Sequence, residues 1–122
     1  MTTDKQTSIN LALSTINGKW KLSLMDELFQ GTKRNGELMR ALDGITQRVL
    51  TDRLREMEKD GLVHRESFNE LPPRVEYTLT PEGYALYDAL SSLCHWGETF
   101  AQKKARLNKL ASSFFIYFGY YG

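Results

Sequence analysis

A single cysteine, Cys94, stands among 122 residues. The chain alone can therefore close no disulfide and build no cysteine-based zinc site. Such scarcity fits a reducing compartment, and a cytoplasmic protein is expected. Histidine is nearly as rare: only His64 and His95 are present, too few to complete a metal site. Cys94 and His95 are chain neighbours, and on a helix neighbours point about 100° apart, the wrong geometry for a nucleophile and its base. No glycine-rich loop is spaced to cradle a phosphate. With no catalytic constellation to assemble, the chain is not expected to be an enzyme or to need a cofactor. Long apolar runs are missing as well, whereas a membrane-spanning helix needs about 20 such residues. The first six residues are polar, unlike a secretion signal.

Charge of one sign is also missing. Lys and Arg number 16 against 15 Asp and Glu, a net charge of +1. Residues 31–80 hold nine of each sign. Any affinity for nucleic acid must come from how charges are sorted between faces, since their sum gives none. The length fits one domain, expected to span 1–122, with enough apolar surface left over to make dimerisation plausible.

What is present centres on residues 46–63, which read as a helix with both ends marked. The Thr46 hydroxyl can accept an orphan backbone N–H of the first turn, and Gly61 suits the left-handed residue that ends a helix. Leu50, Leu54 and Met57 share one stripe at helical spacing and should face inward. Arg48, Thr51, Asp52, Arg55 and Lys59 fall on the other side, where such side chains reach base edges or phosphates. Alone, this is more often the pattern of an ordinary surface helix with a solvated face. Its neighbourhood decides.

Upstream, Ser8 is expected to cap a first helix carrying Ile9, Leu11, Leu13 and Ile16, after a frayed segment 1–7. A second helix is expected over 19–30, ended by Gly31. Residues 32–35 read as a polar connection in which Thr32 or Asn35 caps a short helix over 36–42. Asp43-Gly44 is a turn signal, and Ile45 is placed to staple the start of the next helix. Short helix, tight turn and longer helix make a helix-turn-helix, expected over about 33–61. Downstream, residues 62–68 are rich in strand formers, Pro72-Pro73 interrupts, and residues 75–80 alternate apolar and polar. This is a hairpin, the wing, over about 62–80. Thr80-Pro81-Glu82 then opens a last helix over about 81–107. Its apolar positions, including Leu86, Leu90, Leu93, Trp96 and Phe100, outnumber what one small core needs, so the helix is expected both to fold back on the first helices of its own chain and to offer a partner surface. An aromatic tail, 108–122, uncharged over 114–122, either docks on a groove or stays loose.

Three stretches together resemble the HxlR family of bacterial winged-helix transcription regulators, relatives of the MarR type. They are Ile16-Asn17-Gly18-Lys19-Trp20, the run from Gly36 through Val63, and Pro72-Pro73-Arg74-Val75-Glu76-Tyr77-Thr78-Leu79-Thr80-Pro81-Glu82-Gly83. Trp96-Gly97-Glu98 follows, and the likeness covers roughly 9–100. The resemblance implies an α+β, mostly helical fold, a winged helix-turn-helix with flanking N- and C-terminal dimerisation helices. It also implies a homodimer on pseudo-palindromic operator DNA, with Ile9, Leu13, Leu86, Leu90, Leu93, Trp96 and Phe100 at the dimer interface. Members often sense electrophiles or oxidants through a cysteine before the first helix. Residues 7–11 hold none, which leaves Cys94 as the one thiol available for sensing, and its usual fate is that of a small apolar residue.

On these expectations Thr46, Gln47, Arg48, Thr51, Asp52 and Arg55 face the major groove. Lys33, Arg34, Arg65 and Arg74 hold the DNA backbone, and two recognition helices sit about 34 Å apart. Trp20, Phe29, Trp96 and Phe100 are candidates to line an aromatic pocket for a small-molecule effector, though such residues more often form core. A rival reading is a winged-helix module that binds protein or a small molecule without DNA. The two part on whether Lys33, Arg34, Arg48, Arg55, Arg65 and Arg74 converge on one face.

Overall fold

Asp4 opens the first helix, α1 (Lys5–Ile16), its carboxylate accepting the Thr7 N–H at 2.7 Å. That bond satisfies a donor the helix cannot. The helix therefore begins before Ser8, with residues 5–7 inside it. The computed structural model describes the backbone of residues 4–121 and the side chains of residues 4–110. The chain divides into two compact units, Met1–Tyr87 and Asp88–Gly122.

In the first unit, no residue of α1 is buried. Ile9, Leu11 and Leu13 remain 48, 67 and 52% exposed. The next helix, α2 (Lys21–Phe29), starts two residues later than its periodicity suggests. Trp20 sits at φ 88°, a left-handed conformation that side chains other than Gly and Asn rarely adopt. Leu24, Met25 and Leu28 of α2 are buried. Residues 32–35 are not merely a connection: Lys33–Arg34 forms a short strand, β1, on the open edge of the wing. The following helix, α3 (Asn35–Ala41), starts at Arg34, whose N–H is accepted by Glu37 Oε1 at 3.0 Å. That is half of a capping box, and it displaces Thr32 and Asn35 from the capping role expected of them.

The long central helix, α4 (Gln47–Lys59), follows its sequence pattern closely. Thr46 Oγ1 accepts the Val49 N–H at 3.2 Å, and Gly61 closes the other end at φ 77°. Leu50, Leu54 and Met57 are buried, joined by Leu38, Leu42 and Ile45. The wing strands are β2 (Val63–Phe68) and β3 (Arg74–Leu79), paired antiparallel. Strand order is β1-β3-β2. Directly opposed residues of such a sheet share a face. Val63 lies opposite Leu79, and both are buried, so this face packs on the core.

The last helix, α5 (Pro81–Tyr121), is capped as expected by Thr80, which accepts the Gly83 N–H at 3.0 Å. It continues past the end expected near 107, because residues 98–118 contain neither Gly nor Pro and are rich in strong helix formers. Phe29 of α2 stacks on Tyr87 at 4.3 Å between ring centroids, and the Tyr87 hydroxyl donates to Asp26 Oδ1 at 2.8 Å.

The second unit consists of the remainder of α5. Within it Trp96 stacks on Phe100 at 4.9 Å. Leu93, Trp96, Phe100, Leu107 and Leu110 are each about half or more exposed. The side chains of 111–122, most of the aromatic tail, lie outside the described residues.

Candidate nucleic-acid interface

The solvent face of α4 divides into free and engaged side chains. Arg48, Asp52 and Arg55 are exposed, and Thr51 is half-buried. Thr46 spends its hydroxyl on the cap. Gln47 is tied down: its amide and that of Asn35 pair reciprocally, Asn35 Nδ2 to Gln47 Oε1 at 2.7 Å and Gln47 Nε2 to Asn35 Oδ1 at 2.9 Å. Gln47 Nε2 also donates to Thr51 Oγ1 at 3.0 Å. The two helices of the helix-turn-helix are thus clipped together at the end where α4 would meet bases. Asn35, whose sequence reading was only that of a cap, supplies half of the clip.

Beneath α4, Lys21 is buried, and its Nζ lies 3.1 Å from Glu56 Oε2. Arg53 pairs with the same carboxylate. The Lys21 hydrogen bond, with help from Arg53, holds the Glu56 carboxyl below its ordinary value against the opposing effect of burial. Lys21 was not singled out by periodicity, since a lysine in the first turn of an amphipathic helix usually faces water.

The wing sorts its cations between its two faces. Lys33, Tyr77 and Arg65 form one row across β1, β3 and β2. This row lies on the same face as Val63 and Leu79 and therefore looks toward α4. Arg34, Glu76 and Glu66 form the next row, on the outer face. There Glu76 Oε1 lies 3.4 Å from Arg74 Nε and 4.0 Å from Arg34 Nε. The Arg74 Nε approach is Coulombic, without the alignment of a hydrogen bond. Glu70 takes the other end of Arg74 at 3.2 Å, and the guanidinium lies 4.1 Å from the Phe68 ring centroid. His64 Nε2 and Glu66 Oε2 meet at 2.7 Å on the same face.

The six cations proposed from sequence thus do not converge on one face. Arg34 and Arg74 are matched by acids on the outer face of the wing. Among the described residues, Lys33, Arg48, Arg55 and Arg65 enter no ion pair. Arg55 of α4 and Arg65 of β2 both line a cleft of about 310 Å³ between α4 and the wing, also lined by Thr51, Leu54, Glu58 and Tyr77. A row spacing of two along each strand makes this division readable in principle: residues 34, 74 and 76 share one parity.

Cys94 is exposed, and its Sγ lies 3.8 Å from Glu98 Oε1. Among the described residues no cluster of three or more His, Cys, Asp or Glu could hold a metal ion, and no helix is long and apolar enough to cross a membrane.

Comparison with known proteins agrees with this architecture. The HxlR-like helix-turn-helix family matches residues 15–105. YtcD of Bacillus subtilis, an HTH-type transcriptional regulator itself uncharacterized, is 44% identical over 90 residues, 74% of this chain and 71% of the relative. The redox regulator HypR in its reduced form superposes with a TM-score of 0.71 at 43% identity, covering 75% of this chain and 91% of that one. Diamide-treated YodB from B. subtilis gives 0.70 at 29% identity, covering 82% and 97%. With its winged helix-turn-helix, its clipped recognition helix and these likenesses, the chain belongs to the HxlR-like family and is a transcriptional regulator, not an enzyme.

Proposed function

We propose that the chain acts as a homodimer that binds operator DNA sequence-specifically in the cytoplasm, with α4 in the major groove and the wing against the backbone. The observation that carries this reading is that four of the six cations proposed from the sequence stay unpaired, on α4 and on the wing face that looks toward it. Among the described residues, Arg40 and Lys59 also stay unpaired in the same segment. Lys33, Arg48, Arg55 and Arg65 have no ion-pair partner among the described residues, although the segment holds equal numbers of both signs. Arg48 and Asp52 are the base-facing pair: an arginine suits guanine, and Asp52 suits the amino group of cytosine, while Thr51 and Arg55 lie on the edge of α4 that lines the cleft beside the wing. Gln47 reads a base only through the amide edge that Asn35 and Thr51 leave open. Arg34 and Arg74 stiffen the wing through Glu76 and are not given a backbone contact. Dimerisation would cover the apolar faces that α1 and α5 leave in water: Ile9 and Leu13 on the one, Leu86, Leu90, Leu93, Trp96 and Phe100 on the other. Cys94 receives no sensing role, since its thiol lies against the Glu98 carboxylate and reactive thiolates need cationic surroundings.

Selection of bound fragments from random duplex DNA at a fixed salt concentration tests the reading. Enriched sequences should carry two inverted half-sites with centres about one helical turn apart. Recovery of no motif above the input pool would end the proposal.

A further inference from the structure

A duplex always carries a sugar–phosphate strand between its major and minor grooves. If α4 occupies one groove and the wing meets the next, that strand must cross the space between them. In this structure the space is a specific cleft, built where two periodicities meet. Thr51, Arg55 and Glu58 follow one another at helical spacing along α4, and Lys33, Tyr77 and Arg65 form one row across the sheet. Leu54, buried, forms the floor. Arg55 and Arg65 supply the two cations lining the cleft, and neither is ion-paired among the described residues, although Glu58 lines the same space.

We propose that this cleft clasps one phosphodiester of the intervening strand, with Arg55 and Arg65 as its cations and the Thr51 and Tyr77 hydroxyls as neutral donors. The proposal rests on the DNA-binding reading above and deepens it. Lys33, in the Tyr77 row, extends the positive edge along the strand. Glu58 limits how deeply the strand sits, since a second phosphate pushed inward would meet its carboxylate. The required chemistry is that of any phosphate oxyanion. A cleft open to solvent between two DNA-facing elements suits a diester passing through better than a free monoester held inside. The outer face of the wing, where Arg34 and Arg74 are already matched by Glu76 and Glu70, takes no part.

The test uses a mixed-sequence duplex of about 30 base pairs, because a phosphate contact is independent of sequence. Its dissociation constant is measured for the full chain from about 50 to about 200 mM salt. Arg65→Ala should make the plot of log K against log salt shallower by about 0.9 per protomer. Arg65→Lys should restore the slope, and Arg74→Ala should leave it unchanged. Tyr77→Phe should lower affinity about tenfold at constant slope, through loss of one hydrogen bond to a charged group. Glu58→Gln should raise affinity. Melting curves that match wild type show that each variant is folded. If Arg74→Ala flattens the slope as much as Arg65→Ala, or if Arg65→Ala leaves it unchanged, the clasp is overturned while DNA binding stands. A wild-type chain that does not bind the duplex removes both. Inorganic phosphate should displace the duplex no better than chloride at matched ionic strength. Selective displacement by phosphate would assign the cleft to a free anion and overturn the strand assignment.

Discussion

Gly83→Ala isolates the contact that fastens the start of α5 to the end of α4. A Cβ built at Gly83 would stand 2.2 Å from the Leu62 carbonyl oxygen and 3.1 Å from Leu79 Cδ2. Carbon–oxygen contacts settle near 3.3 Å, so the first turn of α5 and the chain at Leu62 must part by about 1 Å. Two hydrogen bonds span that seam and a third completes the α5 cap beside it. Thr80 N–H donates to Leu62 O at 3.0 Å, the Thr80 hydroxyl donates to Gly61 O, and it accepts from Gly83 N–H at 3.0 Å. Losing two of them costs about 1 kcal/mol each, and overpacking adds about 1–3 kcal/mol. Alanine returns about 1 kcal/mol through its helix propensity. The variant should be less stable by about 2–4 kcal/mol. For a chain of this size that lowers Tm by about 8–16 °C. The assay is thermal and urea unfolding at one fixed protein concentration, since association shifts both midpoints. A variant that melts within about 2 °C of wild type would refute the reasoning.

Two further outcomes follow from the packing around α4. The reciprocal amides of Asn35 and Gln47 should couple energetically, so that Asn35→Ala and Gln47→Ala together cost about 1 kcal/mol less than the sum of the single variants; a double-mutant cycle that comes out additive removes the clip. Glu56, held below its ordinary value of 4.5, stabilises the folded state above that pH. This contribution fades as pH falls through the lower folded-state value. Glu56 is 45% exposed, so solvent screening keeps the contribution to about 1 kcal/mol or less. The drop in urea midpoint between about pH 6 and about pH 3.5 should therefore be smaller in Glu56→Gln than in wild type, and equal drops would dismiss the pair.

The elements whose reason lies within themselves were legible in the sequence. Thr46 and Gly61 mark the ends of α4, Leu50, Leu54 and Met57 mark its buried stripe, and the Pro-Pro break marks the wing tip. What escaped depends on a partner distant in the chain. Lys33 and Arg34 look like a polar linker until β3 offers an open edge for them to pair with. Arg34 and Arg74 look like free cations until Glu76 stands between them. Gln47 reads as a base contact until Asn35, twelve residues earlier, engages its amide. Lys21 looks solvated until Glu56 lies above it. The left-handed Trp20 has no local signature, since the sequence pattern extends the helix through it. In each case the tertiary neighbour outweighs the local preference.

The second helix is gripped from two directions. At one point its Asp26 takes the Tyr87 hydroxyl and its Phe29 stacks on the Tyr87 ring, while at another its Lys21 reaches up to Glu56. A close-packed interior passes a displacement on rather than absorbing it. Tilting the start of the last helix would therefore drag α2 and, through one ammonium group, tug at the underside of α4. Between the Tyr87 ring and α4 the path runs through Asp26 and Phe29 at one end of α2 and through Lys21 and Glu56 at the other.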